Sequence, residues 1–360
     1  MPSRVAVLKT SPEKVLDDYA RLMNLAEFEK FISKENDTLI KLNLSWTKYF
    51  PSCSSQPWQL EGLVRTLLQG GFPKTRLFPV ENKTVVTHPV KGAKNNLWAS
   101  VLERYGLDFF PLTEVEWTAY SFKGKLLKMN EVFPEGFQIP KMFVGKNVIH
   151  LPTVKTHGHS VTTGAIKNAF GGLLKEFRHY AHKYIHEVLV DLMTIQRELH
   201  PGIFCVVDGT VCGDGAGPRT MIPRIGNIIL ASGDSVAVDA VAARIMGFEP
   251  LSIPYIRMCH EQGLGIGNLQ EIDIIGDDIS KVNLHFKTKR SLVIWGDQML
   301  RIGFLRFLER ILLRSPLVIW APLASNIYHD WLWYPTIGRY RIRKFARTDW
   351  GKLWQKYKEG

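Results

Sequence analysis

NVIHLPTVK (residues 147–155) and IFCVVDG (residues 203–209) are apolar through most of their length and rich in β-branched side chains. A strand with one face in water alternates apolar and polar residues. Near-continuous apolar runs instead suit strands covered on both faces, as in a mostly parallel sheet. Four further runs share this character: VAVLKT from Val5, TLIKLNL from Thr38, TRLFPVEN from Thr75 and NIILASGD from Asn227. The segments Pro12 to Phe31, Gln56 to Gly70, Leu97 to Tyr105, Tyr180 to Leu199 and Ser235 to Met246 show helical spacing. Strand–helix alternation of this kind implies right-handed crossovers, and therefore an α/β, doubly wound, mostly parallel sheet sandwich.

The 360 residues, 45% hydrophobic and 22% charged, have the composition of a folded globular protein. We expect an α/β core domain over residues 1–285. Segment 113–146, with its Pro134–Gly136 turn, reads as an inserted hairpin or subdomain, and residues 286–360 as a helical, basic, Trp-rich extension. The charge is uneven: residues 291–360 hold 12 Lys plus Arg against 5 Asp plus Glu, a net +7 of the chain's +12, and six of its ten Trp. Basic residues mixed with Trp suit an anionic membrane surface. The default expectation is a tail packed on the core, with peripheral membrane or protein contact as the alternative and nucleic acid not favoured.

Several classes are disfavoured. Cys53, Cys205, Cys212 and Cys259 form no CxxC pair, so the spacing suits neither a zinc ribbon nor a ferredoxin-type cluster. The N-terminus turns charged too early for a secretory signal, which suggests a cytoplasmic protein. Ile302 to Ile327 is broken by Arg306, Glu309, Arg310 and Arg314, so no transmembrane span is expected. Within residues 291–327 the spacing of Arg306, Arg310 and Arg314 predicts one positive stripe on a helix, beside an apolar one of Phe304, Leu308 and Ile311 or Leu312.

In an open α/β sheet, ligands bind beyond the carboxyl ends of strands. Lys41, Asn43 and Ser45 lie at or after the second strand, Glu81 after the third, and Lys155 and His157 after NVIHLP. Asp208 and Asp214 follow the fifth. The densest segment is LPTVKTHGHSVTTGAIKNAFGGLLKEFRHYAHKYIH, residues 151–186. Here Thr162 or Thr163 is a candidate N-cap, with Lys167 and Asn168 in the first turns of the following helix. A helix N-terminus flanked by lysines favours an anionic guest. His179, His182 and His186 share a helical face but lack a zincin Glu, and read as residues of the core or its edge.

CVVDGTVCGDGAGPR, residues 205–219, reads as a strand ending at Asp208–Gly209, then a loop. In that loop Gly215 and Gly217 would let the backbone approach a ligand, and Asp214 joins Asp208 as a carboxylate able to hold a hard cation. In LASGDSVAVDAVAARIMGF, residues 230–248, Ser232 or Asp234 can cap a helix carrying Asp239.

KLNL (41–44), LPTVKTH with TTGAIKNAFGG (151–172), VVDG with its Gly-Pro loop (206–218), SGDSVAVDAVA (232–242) and GLG (263–265) occur here in one order. Together, over roughly residues 5 to 277, they resemble the domain-of-unknown-function family 362. Many members of that family add a ferredoxin-like cysteine cluster. This chain lacks the CxxCxxC pattern, so no built-in iron–sulfur cluster is expected. The resemblance implies recurrent polar positions at Lys41, Asn43, Lys155, His157, Lys167, Asn168, Asp208, Asp234 and Asp239.

Our functional expectation is an enzyme for a small carboxylate or phosphate metabolite, with metal-assisted proton-transfer or redox chemistry. Lys155, Lys167 and the helix N-terminus would bind the anion, with Lys41, Asn43, Thr163, Asn168, Gly215 and Gly217 around it. His157, Lys155 and Asp208 would carry catalysis, and Asp208, Asp214 and Asp239 a divalent metal. Lys41, Asn43, Lys155, His157, Lys167 and Asp208 are expected to converge on one cleft. The alternative is a non-catalytic ligand-binding or scaffold protein docking through its tail.

Overall fold

The structure, a computed structural model, describes residues 3–84, 86–313 and 320–359, without the side chains of 176–179 and 310. Twelve strands are described: β1 (Ser3–Lys9), β2 (Thr38–Lys41), β3 (Leu77–Glu81), β4 (Phe110–Pro111), β5 (Trp117–Ala119), β6 (Gln138–Pro140), β7 (Asn147–His150), β8 (Thr153–His157), β9 (Val161–Thr163), β10 (Ile203–Ala216), β11 (Thr220–Ser232) and β12 (Ile272–Gly276). The main sheet runs β12-β1-β11-β10-β7-β2-β3-β4, with β8 beside β10 and β9 beside β8. It is mostly parallel; β11 is antiparallel to both neighbours, and β9 to β8.

The apolar runs are continuous because alternate residues feed two separate cores. Val5, Val7, Leu39, Val148, Val207 and Leu230 pack on one face, under helices Ala165–Leu173, Ile185–Leu199 and Ser235–Met246. Ala6, Leu8, Ile40, Ile149, Val206 and Ile229 pack on the other, under helices Val15–Leu25, Pro57–Gln69 and Trp98–Tyr105. Both faces of the sheet are therefore dry, as the runs imply.

Two expectations fail locally. NVIHLPTVK is two strands, because Pro152 cannot donate to a ladder, although Thr153 resumes against Asp208 the same register that β7 keeps with β10. The loop expected after Asp208 is instead strand: β10 continues to Ala216 and returns as β11 in a long hairpin, with a bulge between Gly209 and Val211. Within segment 113–146, β5 and β6 form a small antiparallel sheet.

The C-terminal region is helical. Its last part packs on the core: Trp350 lies 5.2 Å from Trp58 and donates to Asn227 Oδ1 at 2.7 Å, while Trp354 stacks on Tyr49 at 4.1 Å. The single Arg-striped helix is not found. Helix Leu292–Arg301 ends before Gly303, Arg306–Leu308 is a 3-10 turn, and Glu309–Leu313 is a separate short helix. Arg314 and the side chain of Arg310 lie outside the described residues.

Candidate functional site

A cavity of about 290 Å³ opens at the carboxyl ends of β2, β3, β8 and β9. Lys41, Asn43, Ser45, Glu81, His157, Thr163, Lys167 and Asn168 border it from the core, and Val293, Ile294, Asp297, Arg301 and Ser325 from the C-terminal region. A second cavity of about 440 Å³ adjoins it through His157, His159, His182 and Arg301. Side chains separated by more than a hundred residues thus meet at one sheet edge, as the strand-end rule anticipates.

Each polar group in the wall has an identifiable role. Lys41, 1% exposed, pairs with Glu81 Oε1 at 2.9 Å. That carboxylate also accepts the Asn82 N–H at 2.8 Å, whereas Glu81 Oε2 is buried with no hydrogen-bond partner among the described residues. Thr163 Oγ1 is likewise buried and unpartnered. Asn168 Nδ2 donates to the Lys41 carbonyl at 2.9 Å, and Asn43 Nδ2 reaches Asn168 Oδ1 at 3.4 Å. Lys167 lies with its Nζ 4.9 Å over the Phe170 ring, and Arg219 donates to Ser325 Oγ at 2.8 Å. Burial lowers the Arg219 pKa to about 10, so it remains a cation at neutral pH.

The imidazoles are neutral. Burial, reinforced by Lys167, pushes the His157 pKa well below its ordinary value; burial also lowers His182 strongly and His159 to about 4. His157 Nδ1 accepts the backbone N–H groups of His159 and Ser160 at 3.2 and 3.4 Å. The ring proton therefore sits on Nε2, which makes His157 a hydrogen-bond donor at neutral pH.

Lys155 is set back from the cavity. It is fully buried, and its ammonium donates to Asn43 Oδ1, to Ser45 Oγ at 3.0 Å and to the Cys53 carbonyl. Its three protons are used to pin the 43–53 segment onto β8, and burial lowers its pKa to about 8. It borders neither cavity, and its contacts position the 43–53 segment.

The three aspartates do not come together. Asp208 accepts from Tyr19 Oη (2.7 Å), Trp58 Nε1 (3.1 Å) and Thr210 N and Oγ1 (3.0 and 2.8 Å), beneath the helices of the opposite core. Asp214 pairs with Arg224 at 3.2 Å and accepts the Lys287 N–H. Asp239 accepts the N–H groups of Ala165 and Ile166 at 2.6 and 3.2 Å. Burial raises the Asp239 pKa to about 7. The helix N-terminus offered to a ligand by the sequence is thus occupied by Asp239, while Asp234 caps its own helix at Val236 and Ala237. Gly215 and Gly217 also serve the fold. Gly215 takes a φ of +101°, and a Cβ on Gly217 would stand 1.8 Å from the Thr156 carbonyl oxygen.

Sequence reasoning missed His159, Asp297 and Arg301 as members of the wall. His159 stacks on His182 at 4.5 Å, and Asp297 lies 3.6 Å from His159 Nε2. Their ligand atoms lie within 4.8 Å of one another, making them a metal-capable trio. Arg301 already holds Asp297 at 2.8 Å, however, and supplies the counter-charge a cation would bring. The helical face expected for His179, His182 and His186 is absent, because Glu176–Tyr184 is 3-10 helix. His182 faces the cleft and His186 faces Tyr255, while the His179 side chain lies outside the described residues.

Fold and site together define an α/β protein with a partly cationic cleft at the strand ends, closed on one side by its C-terminal helices. The profile of the family described as Domain of unknown function (DUF362) matches residues 38–244, and the chain belongs to that family. A thylakoid-associated protein of Synechocystis sp. is 31% identical over 123 residues, 33% of this chain and 37% of that protein's length. No solved structure matches the chain. Among the described residues, no helix is long and apolar enough to cross a membrane.

Proposed function

We propose that the cleft binds a small carboxylate or phosphate that also carries a hydroxyl or amino group, and that the protein is an enzyme acting on it by proton transfer. The observation that carries this reading is the pair of buried, unpartnered oxygens, Thr163 Oγ1 and Glu81 Oε2, at a cavity bordered by Lys167 and Arg219. An unmet buried polar atom costs about 1–3 kcal/mol, which a bound ligand recovers. The Thr163 hydroxyl and the His157 Nε2–H donate to the anion, and Lys167 and Arg219 balance its charge. Glu81 Oε2 accepts from the ligand's O–H or N–H and is the group placed to take a proton. Calorimetric titration with inorganic phosphate and with lactate tests this. Binding should be lost in Lys167→Met and in Thr163→Val while both variants stay folded; binding unchanged in both variants removes the cleft as the site.

A second reading concerns location. Among the described residues, thirteen exposed large hydrophobic side chains fall between Leu292 and Tyr340, against five in all the preceding chain. Exposed apolar side chains gathered in one region mark a candidate interaction surface. With the net +7 of the tail, it supports peripheral docking on an anionic membrane, in keeping with the similarity to a thylakoid-associated protein. Vesicle co-sedimentation at low and high salt tests it, and an intact chain that stays in the supernatant with anionic vesicles at both salts removes it.

A further inference from the structure

Helix Leu292–Arg301 has two different faces. At 100° per residue, Val293, Ile294, Asp297 and Arg301 fall within one arc of about 100°, and all four border the cleft. Leu292 and Trp295 point the other way and are 74% and 49% exposed. The helix sits tightly on the core: Gln298 Nε2 donates to the Gly158 carbonyl at 3.1 Å, and a Cβ on Gly158 would stand 2.6 Å from Ile294 Cδ1. One element thus forms the cleft's wall on its inside and an exposed apolar surface on its outside.

The cleft has a mixed lining. Lys167, Arg219, Thr163 and His157 are polar groups from the core, and the C-terminal region adds apolar Val293, Ile294, Leu313, Ala321 and Pro322 beside Asp297, Arg301 and Ser325. The same region carries the most exposed apolar side chains, with Phe304, Phe307 and Trp331 at 71% each. Beside a cationic group, the lining's apolar side chains give a ligand with both an acidic head and a hydrocarbon tail more buried contact than the head alone makes. We infer that the occupant is an amphiphile: an acidic head, carboxylate or phosphate, on a long acyl or prenyl tail drawn from a membrane. The head lies among Lys167, Arg219 and His157, and the tail runs along Val293, Ile294 and Ala321 toward the exposed surface. This inference rests on the anion-binding reading above and specifies its substrate class.

Each methylene buried adds about fourfold in affinity, so a tail that buries two of them binds more than tenfold tighter than the head alone. The full-length protein is titrated calorimetrically with butanoate and, below its micelle concentration, with oleate. Phosphatidic acid in phosphatidylcholine vesicles against inorganic phosphate gives the parallel comparison for the other head. Long chains should bind at least tenfold tighter than their short partners. Val293→Asn, which sets an uncharged amide in the apolar wall, should abolish that preference, read as the ratio of long-chain to short-chain affinity; Ala321→Asn repeats the test from a different helix should the first variant fail to fold. Equal affinity for short and long chains overturns the inference and leaves the anion site standing. A long-chain preference that survives in both folded variants overturns it as well, because the tail then binds elsewhere. No binding of any probe overturns both readings.

Discussion

Lys155 and Lys167 look alike in the sequence, both near a strand end and both beside polar residues, yet the structure gives them opposite consequences on removal. Lys155→Met keeps the length of the side chain and deletes three donated hydrogen bonds, leaving Asn43 Oδ1, Ser45 Oγ and the Cys53 carbonyl without them. At about 2 kcal/mol for each stranded acceptor the loss approaches ~6 kcal/mol. Removing the ammonium also relieves the burial that lowers its pKa from 10.5 to about 8, which returns about 3 kcal/mol. The net expectation is a destabilisation of roughly 3 kcal/mol, read by urea unfolding, with faster amide exchange over residues 43–55. Lys167→Met, at a half-buried position in the cleft wall, should change stability by no more than about 1 kcal/mol. The pH dependence is a second check. The folded pKa of Lys155 lies below the unfolded one, so its contribution to stability is present above pH 10.5 and is lost as pH falls through about 8. Wild type should therefore gain stability between pH 8 and 10.5 relative to Lys155→Met. If Lys155→Met is as stable as wild type and unchanged in slope while ligand binding disappears, the positioning role is wrong and Lys155 belongs to the site.

Two further perturbations test the local arguments. Asp239 has a folded pKa raised from 3.8 to about 7, so its contribution is present below pH 3.8 and is lost as pH rises through about 7; Asp239→Asn, which cannot ionise, should flatten that decline in a pH series of thermal melts. Gly217→Ala forces a methyl against the Thr156 carbonyl and should cost about 3 kcal/mol or more, whereas Gly215→Ala meets nothing within 4 Å and should cost only the positive-φ strain, about 1–2 kcal/mol; equal unfolding midpoints for the two variants would count against the close-approach argument.

The sequence by itself determined the layered architecture. Runs such as VAVL (5–8) and IFCVV (203–207) have no polar face, and a sheet covered on both sides accepts them; the split of Val7 from Leu8 and of Val206 from Val207 into opposite cores is the direct consequence. It also narrowed the cap of helix Ser235–Met246 to Ser232 or Asp234, of which Asp234 is the one used, because a cap is a local feature two or three residues long. Tertiary structure alone decided which polar residues are already satisfied. Asp208, Asp239 and Lys155 have the composition of a site in one dimension, but Tyr19, Trp58, Ala165 and Asn43 arrive from elsewhere and use their hydrogen-bonding capacity. Asp297 and Arg301 reach His159 from almost 140 residues away and carry no local signature. A buried polar group must find a partner wherever the fold supplies one, and that partner's position in the chain is not written beside it.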